Sequence, residues 1–262
     1  MTILITGTSA GIGFTLAEYF GKKGHMVFGL SRKNVESEFF TTIPTDITDN
    51  PQVQNAILEV LKTEKRIDVL INNAGMGMVG AVEDSSQEEI LKLFNLNLVG
   101  SVQMMTAVLP KMREQKLGKI INISSIGSEM GLPFRGFYSA SKSALDKVTE
   151  AIRYEVSPWN IEVCTLHLGD IKTNIAENRV KTKVSEPYQK TFEKVYSLMN
   201  SHVDDGTEPS EVAEYIEKLI QKKSWKAHYY FGKFGQKIGV PLKWILPQNF
   251  YENLMRKYNK LD

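Results

Sequence analysis

Apolar residues along the chain gather in short runs, and these alternate with longer stretches in which apolar positions recur every three or four residues. Runs at 2–6, 26–31, 67–71, 119–124, 161–166 and 227–231 are strand-like, several of them continuously apolar. Continuous apolar character, rather than alternation, is what strands buried on both faces require. Helix-period stretches lie between the runs. Residues 51–64 follow Asn50, read as a cap, and start with Pro51, whose missing N–H costs nothing in the first turn. A second helix is expected from Ser85, with Glu88 three residues on in capping-box spacing. Helical periodicity then fills 89–115 and 137–157. Strand and helix in repetition predict right-handed crossovers and an α/β, Rossmann-like, doubly wound parallel sheet with helices on both faces. No repeat or low-complexity linker interrupts the 262 residues, so a single domain over 1–262 is expected.

Two regions break this rhythm. Residues 170–207 are polar with mixed charge and no clear strand, the character of a substrate lid. Residues 211–262 hold 10 Lys/Arg against 5 Asp/Glu, together with Trp225, Tyr229, Tyr230, Phe231, Phe234, Trp244, Phe250, Tyr251 and Tyr258. That helix, strand and aromatic extension reads first as packing on the body, and second as a peripheral membrane contact. Overall, 32 Lys plus Arg against 30 Asp plus Glu leave a net charge of +2, which offers no electrostatic case for nucleic acid. The single cysteine, Cys164, rules out an internal disulfide and a cysteine-based zinc site. His25, His167, His202 and His228 show no metal-ligand spacing, and no metal is expected. Without a signal-like start or a run of 18 apolar residues, the expected home is the cytoplasm.

Candidate chemistry begins where the first run meets Thr6-Gly7-Thr8-Ser9-Ala10-Gly11-Ile12-Gly13. Glycines between a strand and a helix let the backbone turn tightly and approach a pyrophosphate at the helix N-terminus. Gly7-Thr8-Ser9-Ala10-Gly11 also fits a nucleophile elbow, but no earlier strand precedes it to carry an oxyanion loop. The second strand ends at Ser31, followed by Arg32 and Lys33, where a site for NAD would usually place an acid. A cationic fork suits a 2′-phosphate, so NADP is the expected cofactor.

Tyr138 and Lys142 lie four residues apart and share one helical face. A nearby ammonium favours the phenolate, which makes the pair suited to alcohol and carbonyl chemistry. Asn72-Asn73-Ala74-Gly75 follows a buried run, Asn97 sits mid-helix, and Ser124-Ser125 ends another run 13 residues before Tyr138. Together with the glycine loop, this set resembles the short-chain dehydrogenase/reductase family in its single-domain form. The likeness runs from Thr2 to about residue 175 and more loosely beyond.

The resemblance implies that Tyr138 is the acid/base, and that Lys142 holds the nicotinamide ribose and lowers the tyrosine pKa. It implies that Ser125, rather than Ser124, bonds the reacting oxygen, and that Asn97 holds a relay water. Gly7, Ser9, Gly11, Ile12, Gly13, Ser31, Arg32, Asn73, Ala74 and Gly75 would line the cofactor, with Asp46 and Ile47 at the adenine. The family's usual Pro-Gly-x-Val-x-Thr reads Leu168-Gly169-Asp170-Ile171-Lys172-Thr173 here, so Gly169, Ile171 and Thr173 would meet the carboxamide without the proline. Met130 to Phe134 and Gly75 to Met78 are similar to the hydroxysteroid and retinol dehydrogenase branch, and would form an apolar, adaptable pocket. The resemblance also implies a homodimer or homotetramer and a small alcohol or carbonyl substrate. A catalytically silent dinucleotide-binding sensor would show a broken Tyr–Lys–Ser–Asn set, and all four residues stand here. Asn122-Ile123-Ser124 fits a glycosylation sequon but falls in a buried run, and Cys164 is expected to be an inert thiol.

Overall fold

A computed structural model describes residues 1–173 and 179–261. The chain enters through β1 (Thr2–Thr6), every residue of which is buried, and turns at Gly7 into α1 (Gly11–Lys22). Next come β2 (Met26–Ser31), β3 (Thr41–Pro44), α2 (Asn50–Glu64), β4 (Val69–Asn72) and the two-residue β5 (Met78–Val79). A continuous helical run follows as α3 (Gln87–Phe94), a π-helical segment (Asn95–Gly100) and α4 (Ser101–Gln115). After β6 (Gly118–Ser125) come α5 (Gly136–Val156), β7 (Ile161–Leu168), β8 (Val180–Lys181), α6 (Glu186–Asp204) and α7 (Pro209–Ile220). The chain closes with β9 (His228–Phe231), α8 (Phe234–Ile245) and α9 (Gln248–Tyr258).

The main sheet is parallel, in the order β3-β2-β1-β4-β6-β7-β9. Side chains of β1 alternate between its two faces, as strand geometry requires. Ile3 and Ile5 join Leu16 and Phe20 of α1 and Val212 and Ile216 of α7 in one buried layer. Leu4 joins Val53 and Val60 of α2, Met104 and Val108 of α4 and Leu145 of α5 in the other. Strand order reverses between β1 and β4, which opens a crevice at their carboxyl ends. Polar residues also bridge the layers. Asn72 Nδ2 donates to Asn122 Oδ1 at 2.8 Å, and Asn122 Nδ2 donates to Thr149 Oγ1 of α5 at 2.8 Å. Asn122, the sequon residue, is thus fully buried.

The expected sheet and flanking helices are present, with local corrections. Asp49, not Asn50, caps α2: its Oδ1 accepts from Gln52 N at 3.0 Å. The capping box before α3 is Ser86 with Glu89, one residue later than Ser85 with Glu88, because the Ser85 hydroxyl turns back to the Ala81 carbonyl. β3 escapes a hydropathy reading because its four residues include one buried side chain, Ile43, and end in proline. The 170–207 region is more ordered than its composition suggests. It holds β8, paired with β5, and the 19-residue α6, which buries Phe192, Val195, Met199 and Val203. The 174–178 part of the expected lid lies outside the described residues. The run Gln87–Gln115 has a window of mean hydropathy 1.2, apolar enough to cross a membrane, yet half of that window is buried against the sheet.

A helix cap of this kind contributes about 1 kcal/mol. Asp49→Ala should lower unfolding stability by about that amount in urea titration, whereas Asn50→Ala should change it by less than about 0.5 kcal/mol. The reverse order would contradict the assignment of the cap.

Candidate active site

The crevice at the strand switch is built by close approach of two loops. Gly7 has φ +75°, and a Cβ there would stand 2.9 Å from Ala74 Cα. A Cβ on Gly13 would strike the Gly7 carbonyl. Thr6 Oγ1 accepts from the backbone N–H groups of Asn73 (3.0 Å) and Ala74 (2.9 Å), and Asn73 Nδ2 donates to the Thr6 carbonyl at 3.0 Å. The β1 and β4 loops therefore form one rim. Ala10, at the N-cap of α1, offers no side-chain acceptor, so the first-turn N–H groups of Gly11, Ile12 and Gly13 face the crevice uncapped. Thr173 stands across from them, its Cγ2 3.5 Å from where a Gly11 Cβ would be. An uncapped helix start in a glycine-lined crevice fits the pyrophosphate of a dinucleotide.

The outer candidates are placed less directly. Ser31 is buried and its hydroxyl donates to the Lys33 carbonyl at 2.7 Å, while Arg32 and Lys33 are exposed. Asp46 Oδ1 accepts from Thr48 N (2.9 Å) and Thr48 Oγ1 (2.7 Å), so it orders its own turn. The Ile47 side chain packs in the core, which leaves its backbone as the part open to an adenine. Gly169 lies directly against the Gln236 side chain of α8, and buried Ile171 forms a bridge with Thr207.

Tyr138 lies half-buried in the first turn of α5, beside the end of β6. Ser125 Oγ accepts from Gly127 N at 3.0 Å, and the same hydroxyl acts on the Tyr138 phenol, holding its pKa down. Ser124 Oγ is buried with no hydrogen-bond partner among the described residues, and of the two serines only Ser125 acts on the phenol. Burial pushes the phenol above its ordinary pKa; the Ser125 hydroxyl and the guanidinium groups of Arg135 and Arg179 oppose that rise, and Asp170 adds to it. Lys142 is buried and donates from Nζ to the Ile123 carbonyl at 2.8 Å. Its pKa is lowered to about 8 by burial, with Asp146 acting the other way. The cations that act on the phenol here are thus two arginines, whereas the lysine is engaged by a carbonyl.

Gly75 separates the remaining members: a Cβ there would lie 3.2 Å from Asn97 Oδ1 and 3.3 Å from Lys142 Nζ. Asn97 sits in the π-helical segment, a local widening common at functional sites. Its amide accepts from Met76 N (2.8 Å) and donates to Met76 O (3.0 Å) and Ser141 Oγ (3.0 Å). In this structure the Asn97 side chain is a clamp between the β4 loop and α5.

Sequence reasoning missed several groups. Arg135 was visible three residues before Tyr138; its Nε is buried without a hydrogen-bond partner among the described residues. Arg179 carried no local signal: it packs over Gly77 and donates to Asn200 Oδ1 of α6 at 2.8 Å. Behind Lys142, the fold brings Glu129, Asp146 and His167 together, with ligand-capable atoms within 4.8 Å of one another. His167 stacks on Tyr230 at 4.6 Å, and its Nε2 lies 3.1 Å from His228 Nδ1. These residues are distant in sequence, so no spacing announces them. Cys164 is buried, with its thiol pushed upward by burial, as an inert thiol should be.

A seven-stranded parallel sheet with a glycine-lined crevice at its strand switch, and Tyr138 and Lys142 on the first turns of the neighbouring helix, is the architecture of an α/β oxidoreductase. The chain belongs to the short chain dehydrogenase family, whose family model matches residues 1–184. It is 38% identical over 258 residues to the 3-ketodihydrosphingosine reductase of Bacteroides thetaiotaomicron, covering 97% of this chain and 96% of that protein. The NADPH-dependent 3-dehydrocapnine reductase of Ornithobacterium rhinotracheale is 32% identical over 245 residues, covering 86% and 82%. Among solved structures, ElxO with NADP bound matches with a TM-score of 0.73 and 26% identity, covering 87% of this chain and 94% of that one.

The action of Ser125 on Tyr138 yields a direct test. With a carbonyl substrate drawn from a panel and turnover followed by nicotinamide absorbance, Tyr138→Phe should lower kcat by roughly 10²- to 10⁴-fold. Ser125→Ala should also be strongly impaired, and Ser124→Ala should stay near wild type. Near-normal turnover in Tyr138→Phe, or equal losses in the two serine variants, would contradict the site as built.

Proposed function

We propose that the protein is an NADP(H)-dependent oxidoreductase that interconverts an apolar alcohol and its ketone or aldehyde. The observation that carries this reading is the convergence of Ser125, Tyr138, Lys142 and Asn97 beside the crevice of the uncapped α1 start. When bound, the nicotinamide supplies hydride transfer. The chain's own residues hold and protonate the oxygen. Ser125 and Tyr138 donate to the reacting oxygen and stabilise the negative charge that develops on it. Tyr138 then gives its proton to that oxygen in reduction and takes one in oxidation. Because burial raises its pKa, the phenol holds its proton at neutral pH, which favours the role of acid in carbonyl reduction. Oxidation needs the phenolate, so alcohol oxidation should rise with pH. The names of the two curated relatives, both reductases, agree with that direction.

An apolar substrate is supported by the aromatic cluster built on Phe134, four residues before Tyr138. Phe134 packs edge-on against Phe192 at 5.4 Å and against Tyr188 at 6.4 Å, with Val79 and Met199 in the same cluster. Association as a dimer or tetramer through the α3–α4 and α5 faces is supported by exposed Leu91, Val99 and Tyr154. The choice of NADP rests on Arg32 and Lys33, exposed after Ser31 with no acid at the end of β2. The NADPH-dependent relative and the NADP-bound neighbour support it.

A hydrogen bond to a charged group is worth about 1.5–3 kcal/mol, which converts to a preference for NADPH over NADH of roughly 10- to 150-fold. Arg32→Ala should erase most of that preference in fluorescence titration while sparing NADH binding. Equal affinities in the wild type, or a variant that loses both cofactors alike, would sink the assignment of NADP.

A further inference from the structure

The last two helices turn large apolar side chains outward. On α8, Phe234 is 75% exposed, Trp244 76% and Ile245 74%, with Ile238 between them. Phe234, Ile238 and Ile245 stand at i, i+4 and i+11, which is one stripe of a helix. On α9, Phe250 at 60% exposed and Leu254 repeat the i, i+4 spacing. The opposite faces of the same helices anchor them. Val240 and Tyr251 are buried, Tyr251 OH donates to Met130 Sδ at 3.3 Å, Lys243 Nζ donates to the Glu129 carbonyl, and Gln236 Nε2 donates to Asp170. The outward stripes are therefore a second face on docked helices.

Charge follows the same pattern. Residues 233–262 hold six Lys/Arg against two acids, Glu252 and Asp262, in a chain whose net charge is +2. Lys233, Lys237, Lys257 and Lys260 are exposed beside the apolar stripes. An apolar face of this extent marks an interaction surface, and its combination with Lys/Arg is that of a helix lying in a membrane interface. A second copy of the chain meeting this face about a two-fold axis would set positive charge against positive charge. An anionic bilayer complements both the charge and the apolar side chains.

We propose that α8 and α9 dock the protein reversibly on the surface of an anionic bilayer, without spanning it. Their inner anchors have a consequence for the site. Glu129 and Met130 lie on the segment between Ser125 and Tyr138, and Asp170 acts on the Tyr138 phenol. Docking thus sets the mouth of the site beside the lipid, from which an apolar substrate enters; this last step rests on the proposed function, whereas the docking does not.

The experiment is sedimentation of the full-length protein with phosphatidylcholine vesicles, plain or containing one-third phosphatidylglycerol, without substrate. The wild type should pellet with the anionic vesicles, less so as salt rises, and scarcely with the neutral ones. The Trp244→Ser/Ile245→Ser double variant, changed only at exposed positions, should bind roughly tenfold or more weakly. It should keep the wild-type circular dichroism spectrum and turnover of a water-soluble carbonyl. Absence of anionic-vesicle binding, or equal binding by the double variant, would overturn the proposal. So would a dimer in sedimentation velocity that the double variant abolishes, since the face would then belong to a second copy. Vesicle binding by a wild type that turns over no carbonyl would count against the proposed activity and leave the docking in place.

Discussion

Burial raises the proton affinity of Tyr138, and much of the architecture of the site opposes that rise. A phenolate taken out of water is costly, and the cost falls only where hydrogen-bond donors or cations face the oxygen. Ser125 supplies a hydroxyl from the end of β6, Arg135 a guanidinium from the start of α5, and Arg179 a second from beside β8. Three separate elements therefore act together on the phenol oxygen. Lys142 stands in the same conflict one helical turn on: its ammonium is buried, paired with the Ile123 carbonyl and depressed to about 8.

The register of β6 comes from the sheet. β6 pairs with β4 over Lys119–Asn122 and with β7 over its whole length, Ser125 lying opposite Leu168, which sets the end of β6 against the β4 loop. Thr6 and Asn73 tie that loop to the glycine turn, and Asn97 ties it to α5 through Met76 and Ser141. The glycine-lined crevice and the start of α5 are thereby joined through short side-chain bonds rather than through flexible chain. The same frame carries α8 and α9, whose inner faces reach Glu129, Met130 and Asp170.

Local grammar made the frame legible in advance. The apolar runs at 2–6 and 26–31 are strands with those limits, because a strand buried on both faces has little freedom in composition. The glycine turn at Gly7 and Gly13 was legible from its place between a strand and a helix, whereas the association of Ser125 with Tyr138 and of Asn73 and Ala74 with that turn was implied by the family resemblance. Caps were read one residue off at Asp49 and Ser86, since neighbouring polar residues compete for the same N–H groups and only geometry decides between them. Arg179 and the Glu129–Asp146–His167 cluster were invisible, because contact between residues far apart in sequence arises only when the sheet is assembled. The role of Lys142 was read through a shared helical face, which does not reveal the Ile123 carbonyl that claims its ammonium. The outward stripes of α8 and α9 were seen as aromatic and basic content, but which side faced solvent required the packing.

The most direct measurement is the ionisation of Tyr138 itself. Full-length protein labelled with ¹³Cζ-tyrosine, with the resonance assigned by its loss in Tyr138→Phe, can be titrated by NMR between about pH 7 and 11. The account predicts that Tyr138 titrates above the ordinary tyrosine value in the wild type. It predicts a still higher value in Arg135→Met, where burial remains and one opposing cation is gone. A Tyr138 that titrates as an ordinary surface tyrosine, or one unmoved by Arg135→Met, would contradict it.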